Sequence, residues 1–163
     1  MTKTVIVTGS SSGIGRDIAR AFVERGDNVV LNGRDSGKLA DVAAELGAAE
    51  RVATFAGDIG SPATGSELVR AAVERFGGVD VLVNNAGIFG AKPFVDVTEE
   101  DLDSYLNGNL KGTYFTTQAV VRQLKQQAAG GSIVNIGTVL INHALAGLPA
   151  SAALWSARAA CTR

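Results

Sequence analysis

The residues with the clearest chemical purpose stand near the start of the chain, in Thr8-Gly9-Ser10-Ser11-Ser12-Gly13-Ile14-Gly15. The run before them, Thr4-Val5-Ile6-Val7, is short and β-branched, as a buried parallel strand is. In the run after them, Ile18, Ala21, Phe22 and Val23 recur at helical spacing. A strand, a glycine-rich turn and a helix N-terminus therefore follow one another. A helix N-terminus presents unpaired N–H groups and a partial positive charge, a ready seat for a phosphate. The glycines divide the work. Gly9 permits the tight turn, Gly13 lets a pyrophosphate approach the backbone, and Gly15 lets helix and strand pack closely. Ser10, Ser11 and Ser12 add hydroxyl donors toward the same anion. The alternative, a flexible serine-glycine linker, is at odds with a buried strand on one side and an amphipathic helix on the other.

The elements that must position such a site are spaced along the rest of the chain. Residues 28–32 read as a second strand, followed by Gly33-Arg34-Asp35-Ser36 and a helix over 38–46. A third strand over 51–56 ends at Gly57-Asp58. Ser66 is expected to cap a helix running to about Phe76, with Glu67 in its first turn. Residues 79–83 form a fourth strand, with Asn84-Asn85-Ala86-Gly87 as the turn at its end. Thr98 caps an acidic first turn and a helix through Leu106, and a long helical stretch runs from about Asn109 to Gln127. Residues 131–136 form a fifth strand ending near Gly137-Thr138. This alternation predicts an α/β fold of three layers, α/β/α, around a doubly wound parallel sheet of about five strands with right-handed crossovers. Ligands of such sheets sit at the C-terminal strand ends. Ser10 to Ser12, Arg34, Asp58, Asn84 with Asn85, and Thr138 all fall there.

Bulk properties narrow the function. The 163 residues suffice for one domain with a real core, expected to span 1–163 with an atypical tail from Leu154. With 46% hydrophobic residues and net charge −1, the chain offers no electrostatic reason for a nucleic-acid or anionic-membrane partner. No apolar run approaches a membrane span, and the immediate entry into a strand leaves no room for a secretory signal. The single cysteine, Cys161, excludes an internal disulfide and suits a reducing, cytoplasmic setting. One histidine, His143, and one cysteine are too few for a structural zinc, so no metal is expected.

Five ordered landmarks then carry a resemblance: residues 8–15, Asp58 after the third strand, Asn84-Asn85-Ala86-Gly87, Asn107-Gly108-Asn109-Leu110, and Ser132-Ile133-Val134-Asn135-Ile136-Gly137-Thr138. In order and spacing, residues 1 to about 153 resemble the short-chain dehydrogenase/reductase family. The resemblance implies a Rossmann-type fold, a nicotinamide dinucleotide, and hydride transfer between an alcohol and a ketone of small-molecule size. It places Gly9, Ser11, Ser12, Gly13, Ile14 and Gly15 around the pyrophosphate and adenosine ribose. Asp58 and Ile59 would flank the adenine, and Asn85, Ala86 and Gly87 would border the ribose region. The bland alternatives are that Asp58 is a turn former and that Asn84 ties strand ends together. Arg34 bears on which coenzyme is used. A carboxylate ending the second strand would favour NAD, whereas an arginine there pairs with the 2′-phosphate of NADP. The chain offers Asn32-Gly33-Arg34, which points to NADP over NAD; the alternative is a solvated Arg34 paired with Asp35. Ser12 stands where many NADP users carry a basic residue.

By the same resemblance, Asn109 matches the catalytic Asn that holds a structural water, and Thr138 takes the place of the catalytic Ser while keeping a hydroxyl. The chain departs from the family next. Leu154-Trp155-Ser156-Ala157-Arg158 stands at the Tyr-x-x-x-Lys position; Leu154 has no proton to donate, and Arg158 is a poor substitute for a lysine. The chain then ends at Arg163, before the family's last strands and substrate loop, leaving the sheet incomplete at its C-terminal edge. A codon string for a family-like Ser-Lys-Gly-Gly-Val-His-Ala, shifted by one base, reads Ala157-Arg158-Ala159-Ala160-Cys161-Thr162-Arg163. The tail therefore reads as an out-of-frame continuation. An exposed fifth strand would favour association of copies into a homo-oligomer. His143, in the expected substrate-side loop, has no adjacent acid or metal partner. Three readings follow: an NADP-linked oxidoreductase, a catalytically inactive dinucleotide-binding module, and a truncated product without stable function.

Overall fold

The computed structural model describes residues 1–138. Its sheet has five parallel strands, β1 (Thr4–Val7), β2 (Asn28–Gly33), β3 (Val52–Ala56), β4 (Val81–Asn84) and β5 (Ser132–Asn135), in the order β3-β2-β1-β4-β5. Ile6 lies in register with Val30 on one side and Leu82 on the other. The chain winds outward from β1 to β3, then returns to the other side of β1 for β4, so the switch point falls between the C-terminal ends of β1 and β4.

Among the described residues α1 (Gly13–Glu24), α2 (Ser36–Leu46), α3 (Pro62–Phe76) and α5 (Gly112–Gln126) cover the sheet, and a shorter helix, α4 (Glu99–Tyr105), leads into α5. Alternate strand residues serve opposite faces, as the period of two requires. Val5, Val7, Val29, Leu31 and Val83 pack with Ala19, Val23, Leu39 and Val42 of α1 and α2. Ile6, Val30 and Leu82 pack with Leu68, Ala72 and Val120 of α3 and α5. The three layers expected from the sequence are present. Each fully buried aliphatic side chain, such as Ile6 or Leu82, contributes about 1.5–3 kcal/mol.

Tertiary contacts move three element boundaries. Helix α3 starts at Pro62, behind Ser61, and not at Ser66. Pro62 suits a first helical turn, and Gly65 is kept helical because α3 presses on α5; a Cβ at Gly65 would lie 2.9 Å from Thr116 Cα. The roughly 1 kcal/mol that glycine costs inside a helix is offset by that close crossing. Ser66, inside the helix, donates to the Ala63 carbonyl at 2.8 Å. Strand β4 begins at Val81 and not at Val79, because the Gln127 amide takes both backbone groups of Val79, at 2.9 Å each. The break expected between Leu106 and Asn109 is absent. A π-helical turn, Leu106–Lys111, joins α4 to α5, with the residues flanking it in right-handed helical conformation.

The capping expected at Thr98 is found. Thr98 Oγ1 accepts from the Asp101 N–H, and Asp101 accepts from the Thr98 N–H, a reciprocal box at the start of α4. The Asp101 carboxyl is held down at about 2, first by the hydrogen bond from Lys92 and then by those from Thr98. A lowered folded pKa stabilises above the unfolded value and is lost as pH falls through the folded one. The box is therefore expected to persist through pH 4 and open only near pH 2. A carboxyl-carbon NMR titration checks this, and a midpoint for Asp101 near 4 would contradict it. Among the described residues β5 is an outer strand, with Val134 exposed.

Candidate functional site

A cleft of about 550 Å³ opens at the C-terminal ends of the strands, over the switch point. Of the residues expected at a site, Gly9, Ser11, Ser12, Ile14, Arg34, Asp58, Ile59, Asn85, Ala86, Gly87 and Thr138 line it. Gly15 and Asn109 are buried behind the lining, and Gly13, exposed, is not part of it.

The glycine turn is built as a rigid cradle. Gly9 has φ of +65°, and a Cβ there would come within 2.6 Å of Ala86 Cα, so both conformation and space demand glycine. Gly13 has φ of +54° with nothing within 4 Å of where its Cβ would be, which leaves open room before the first turn of α1. Gly15 packs against the turn itself: a Cβ would strike the Gly9 carbonyl and the Asn85 amide. Ser12 precedes α1 without using its side chain as a cap. Ser10 departs from expectation. It is fully buried, donating to the Val7 carbonyl at 2.8 Å and accepting from the Asn32 N–H at 2.9 Å, so it ties β1 to β2 and does not face the cleft.

The turn after β4 is locked onto this cradle. Asn85 Nδ2 donates to the Thr8 and Gly9 carbonyls, both at 3.0 Å, and Thr8 Oγ1 accepts from the Asn85 and Ala86 N–H groups, also at 3.0 Å. The side-chain amide of Asn85 thus holds the turn, and its backbone borders the cleft. Asn84 ties strands, as the plainer reading had it: Nδ2 donates to Asn135 Oδ1 at 2.9 Å and to Thr117 Oγ1 at 3.0 Å.

On the β2 side, the strand ends at Gly33, so no carboxylate terminates it. Asn32 is committed elsewhere, its amide donating to the Phe55 and Gly57 carbonyls at 3.2 and 3.1 Å. Asp35 is the N-cap of α2, accepting the Lys38 N–H at 3.0 Å, and among the described residues no ion pair joins it to Arg34. Arg34 is exposed at the cleft rim. Asp58 is in part a turn former: Oδ1 accepts from the Gly60 N–H at 2.9 Å, while the residue also lines the cleft.

On the far side, Asn109 is wholly buried. Its Oδ1 accepts from the Ile88 N–H at 2.8 Å and its Nδ2 donates to the Ile88 carbonyl at 2.9 Å. Ile88, Phe89, Gly108, Ile136 and Gly137 complete this wall, with Thr138 beside them. Sequence reasoning missed Ile88 and Phe89, although their place directly after Asn85-Ala86-Gly87 signals that they leave β4 toward the cleft.

A protein-family model described as short chain dehydrogenase matches residues 3–159. The chain belongs to the short-chain dehydrogenase family. Among curated relatives, a protein of Azotobacter vinelandii named L-rhamnose 1-dehydrogenase (NAD(P)(+)) is 44% identical over 146 residues, covering 84% of this chain and 56% of its own. An L-rhamnose-1-dehydrogenase of Scheffersomyces stipitis is 40% identical over 142 residues, 84% of this chain and 55% of its own. The chain thus spans a little over half the length of these relatives. The crystal structure of a short chain dehydrogenase from Mycobacterium smegmatis superposes with a TM-score of 0.95 at 34% identity, covering 99% of this chain and 69% of that one.

The described residues supply the cleft and its wall up to Thr138. Leu154 and Arg158, His143 and the tail from Leu154 with Cys161 lie outside the described residues. Within the described residues no helix is long and apolar enough to cross a membrane.

Proposed function

We propose that the cleft binds NADP(H) and that the protein acts as an oxidoreductase on a small alcohol or ketone. The carrying observation is the end of β2: Gly33 offers no carboxylate for a ribose 2′-hydroxyl, and the next residue, Arg34, is an exposed guanidinium on the rim of the cleft. The N-terminus of α1, with Ser11, Ser12 and Ile14 lining the cleft around it, suits the twin phosphates of a dinucleotide. Bound NADP supplies the hydride acceptor, and NADPH the donor, at the nicotinamide. The chain's own groups bind and orient. The N–H groups at the start of α1 and the hydroxyls of Ser11 and Ser12 meet the phosphates. Asp58 and Ile59 bound the adenine, and Asn85, Ala86 and Gly87 border the ribose. Thr138 places a hydroxyl where it would polarise the substrate oxygen. Asn109 acts from behind, by pinning the Ile88 backbone on the cleft wall.

Arg34→Leu is expected to weaken NADPH binding by about tenfold or more and leave NADH almost unchanged, the loss of one charge-assisted contact. Thermal-shift titrations with both coenzymes measure it, since a ligand bound only by the folded state raises Tm. Tighter binding of NADH than NADPH by the unaltered protein would sink the NADP reading. A second reading, coenzyme binding without turnover, is favoured by Leu154 and Arg158 standing in place of the family's tyrosine and lysine. Coenzyme consumption with a panel of alcohols and ketones that includes L-rhamnose separates the two.

A further inference from the structure

Residues 87–93, leaving the cleft wall, alternate strictly: Gly87, Phe89, Ala91 and Pro93 are exposed, and Ile88, Gly90 and Lys92 half-buried. That is the period of an extended chain lying on a surface. The surface is one side of the α4 rod. Ile88 is held by Asn109, Gly90 lies under the Tyr105 hydroxyl, and Lys92 is ion-paired with Asp101. The partners climb by two along the segment and descend by four along the helix, an antiparallel register. The pitches agree: two extended residues span about 6.6 Å and four helical residues about 6.0 Å. On a uniform α-helix each four-residue step overshoots a full turn by about 40°, so two steps would swing Asn109 well off the line. The wider π turn, Leu106–Lys111, falls under the second step and returns it.

Gly90 matters for the room it leaves, not for backbone freedom, and a methyl there would displace the end of the Tyr105 side chain. Its φ is not in the left-handed region, but a Cβ would fall on the Tyr105 hydroxyl, while the next ring atom would be 3.5 Å away, an ordinary contact. Phe89, on the opposite side of the segment, is 56% exposed and lines the cleft. A slip of one residue would reverse the two sides, turning Phe89 to the helix.

We propose that residues 88–92 form a strap whose register on Asp101, Tyr105 and Asn109 holds Ile88 and Phe89 at the cleft wall, making Lys92, Gly90 and Tyr105 positioning residues for coenzyme binding. The occupant of the cleft rests on the reading given under Proposed function; the strap itself does not. The test combines amide hydrogen exchange at Ile88 with NADPH affinity in the whole chain. Gly90→Ala is expected to raise Ile88 exchange about fivefold and to weaken NADPH binding about threefold. Gly90→Ala combined with Tyr105→Phe, which removes the obstructing oxygen, should return both toward the unaltered values. Lys92→Met, four residues from Ile88, should raise Ile88 exchange about threefold, and Lys92→Arg should not. A purely local surface pair would leave Ile88 unmoved. Unchanged exchange at Ile88 in Gly90→Ala, failure of the double variant to recover, or looser Ile88 with NADPH affinity unmoved would each overturn the strap. If the unaltered protein binds neither coenzyme, the functional reading fails, and exchange at Ile88 alone decides the strap.

Discussion

Gly9→Val is expected to cost about 3 kcal/mol or more and to abolish coenzyme binding. Two effects add at this residue. Its φ of +65° is one that a β-branched side chain hardly adopts, and its Cβ would be 2.6 Å from Ala86 Cα, in backbone that cannot swing aside. Ala86 is held by its N–H to Thr8 Oγ1, and Asn85 by its amide to the Thr8 and Gly9 carbonyls, so the cradle and the turn after β4 must shift together. For a domain of this size the loss corresponds to a fall in Tm of about 6–12 °C. Gly13→Ala is the matched comparison. It shares a left-handed φ, +54°, but its Cβ meets open space, so about 1 kcal/mol is expected together with a clear loss of NADPH affinity. Thermal melts with and without NADPH measure both. Equal falls in Tm for the two variants would show that the contact with Ala86 does not govern the turn.

Asn109→Leu is expected to cost about 3 kcal/mol, close to the Gly9 variant, although Leu has similar size and better helix propensity. Propensity and bulk favour the change; polar satisfaction decides against it. The wild-type amide gives Ile88 both an acceptor, at 2.8 Å, and a donor, at 2.9 Å. Leucine leaves a partly buried N–H and C=O unpaired, at about 1–3 kcal/mol for each group. Urea unfolding measures the loss at unchanged m-value. A cost below 0.5 kcal/mol would mean that Ile88 finds water, and that the wall of the cleft does not depend on Asn109.

Much of the fold was legible because it is written in local periods. The β-branched runs around Ile6, Val30 and Leu82, the caps at Thr98 and the helical spacing of Ile18 to Val23 depend on neighbours within four residues, and they appear where expected. The cleft was legible for the same reason: parallel strands bring their C-terminal ends together, so Gly9, Ser11, Ser12, Ile14, Arg34, Asp58 and residues 85–87 had to converge. The start of α3 was misplaced because Ser66 with Glu67 has the local look of a cap, whereas the helix already runs through Gly65, whose space is filled by α5.

By itself, then, the chain's order of residues determined the strand–turn–helix unit, the parallel sheet and the missing carboxylate after β2. Each of these is a property of short stretches. Only the tertiary structure decided which polar groups are spent in holding the site. Ser10 and Asn32 were turned inward, Asn85 was claimed by carbonyls 76 and 77 residues away, and Asn109 was given to Ile88 through a π turn. A hydroxyl or amide has the same donors and acceptors wherever it sits, and its partner is set by which backbone groups packing leaves unpaired beside it.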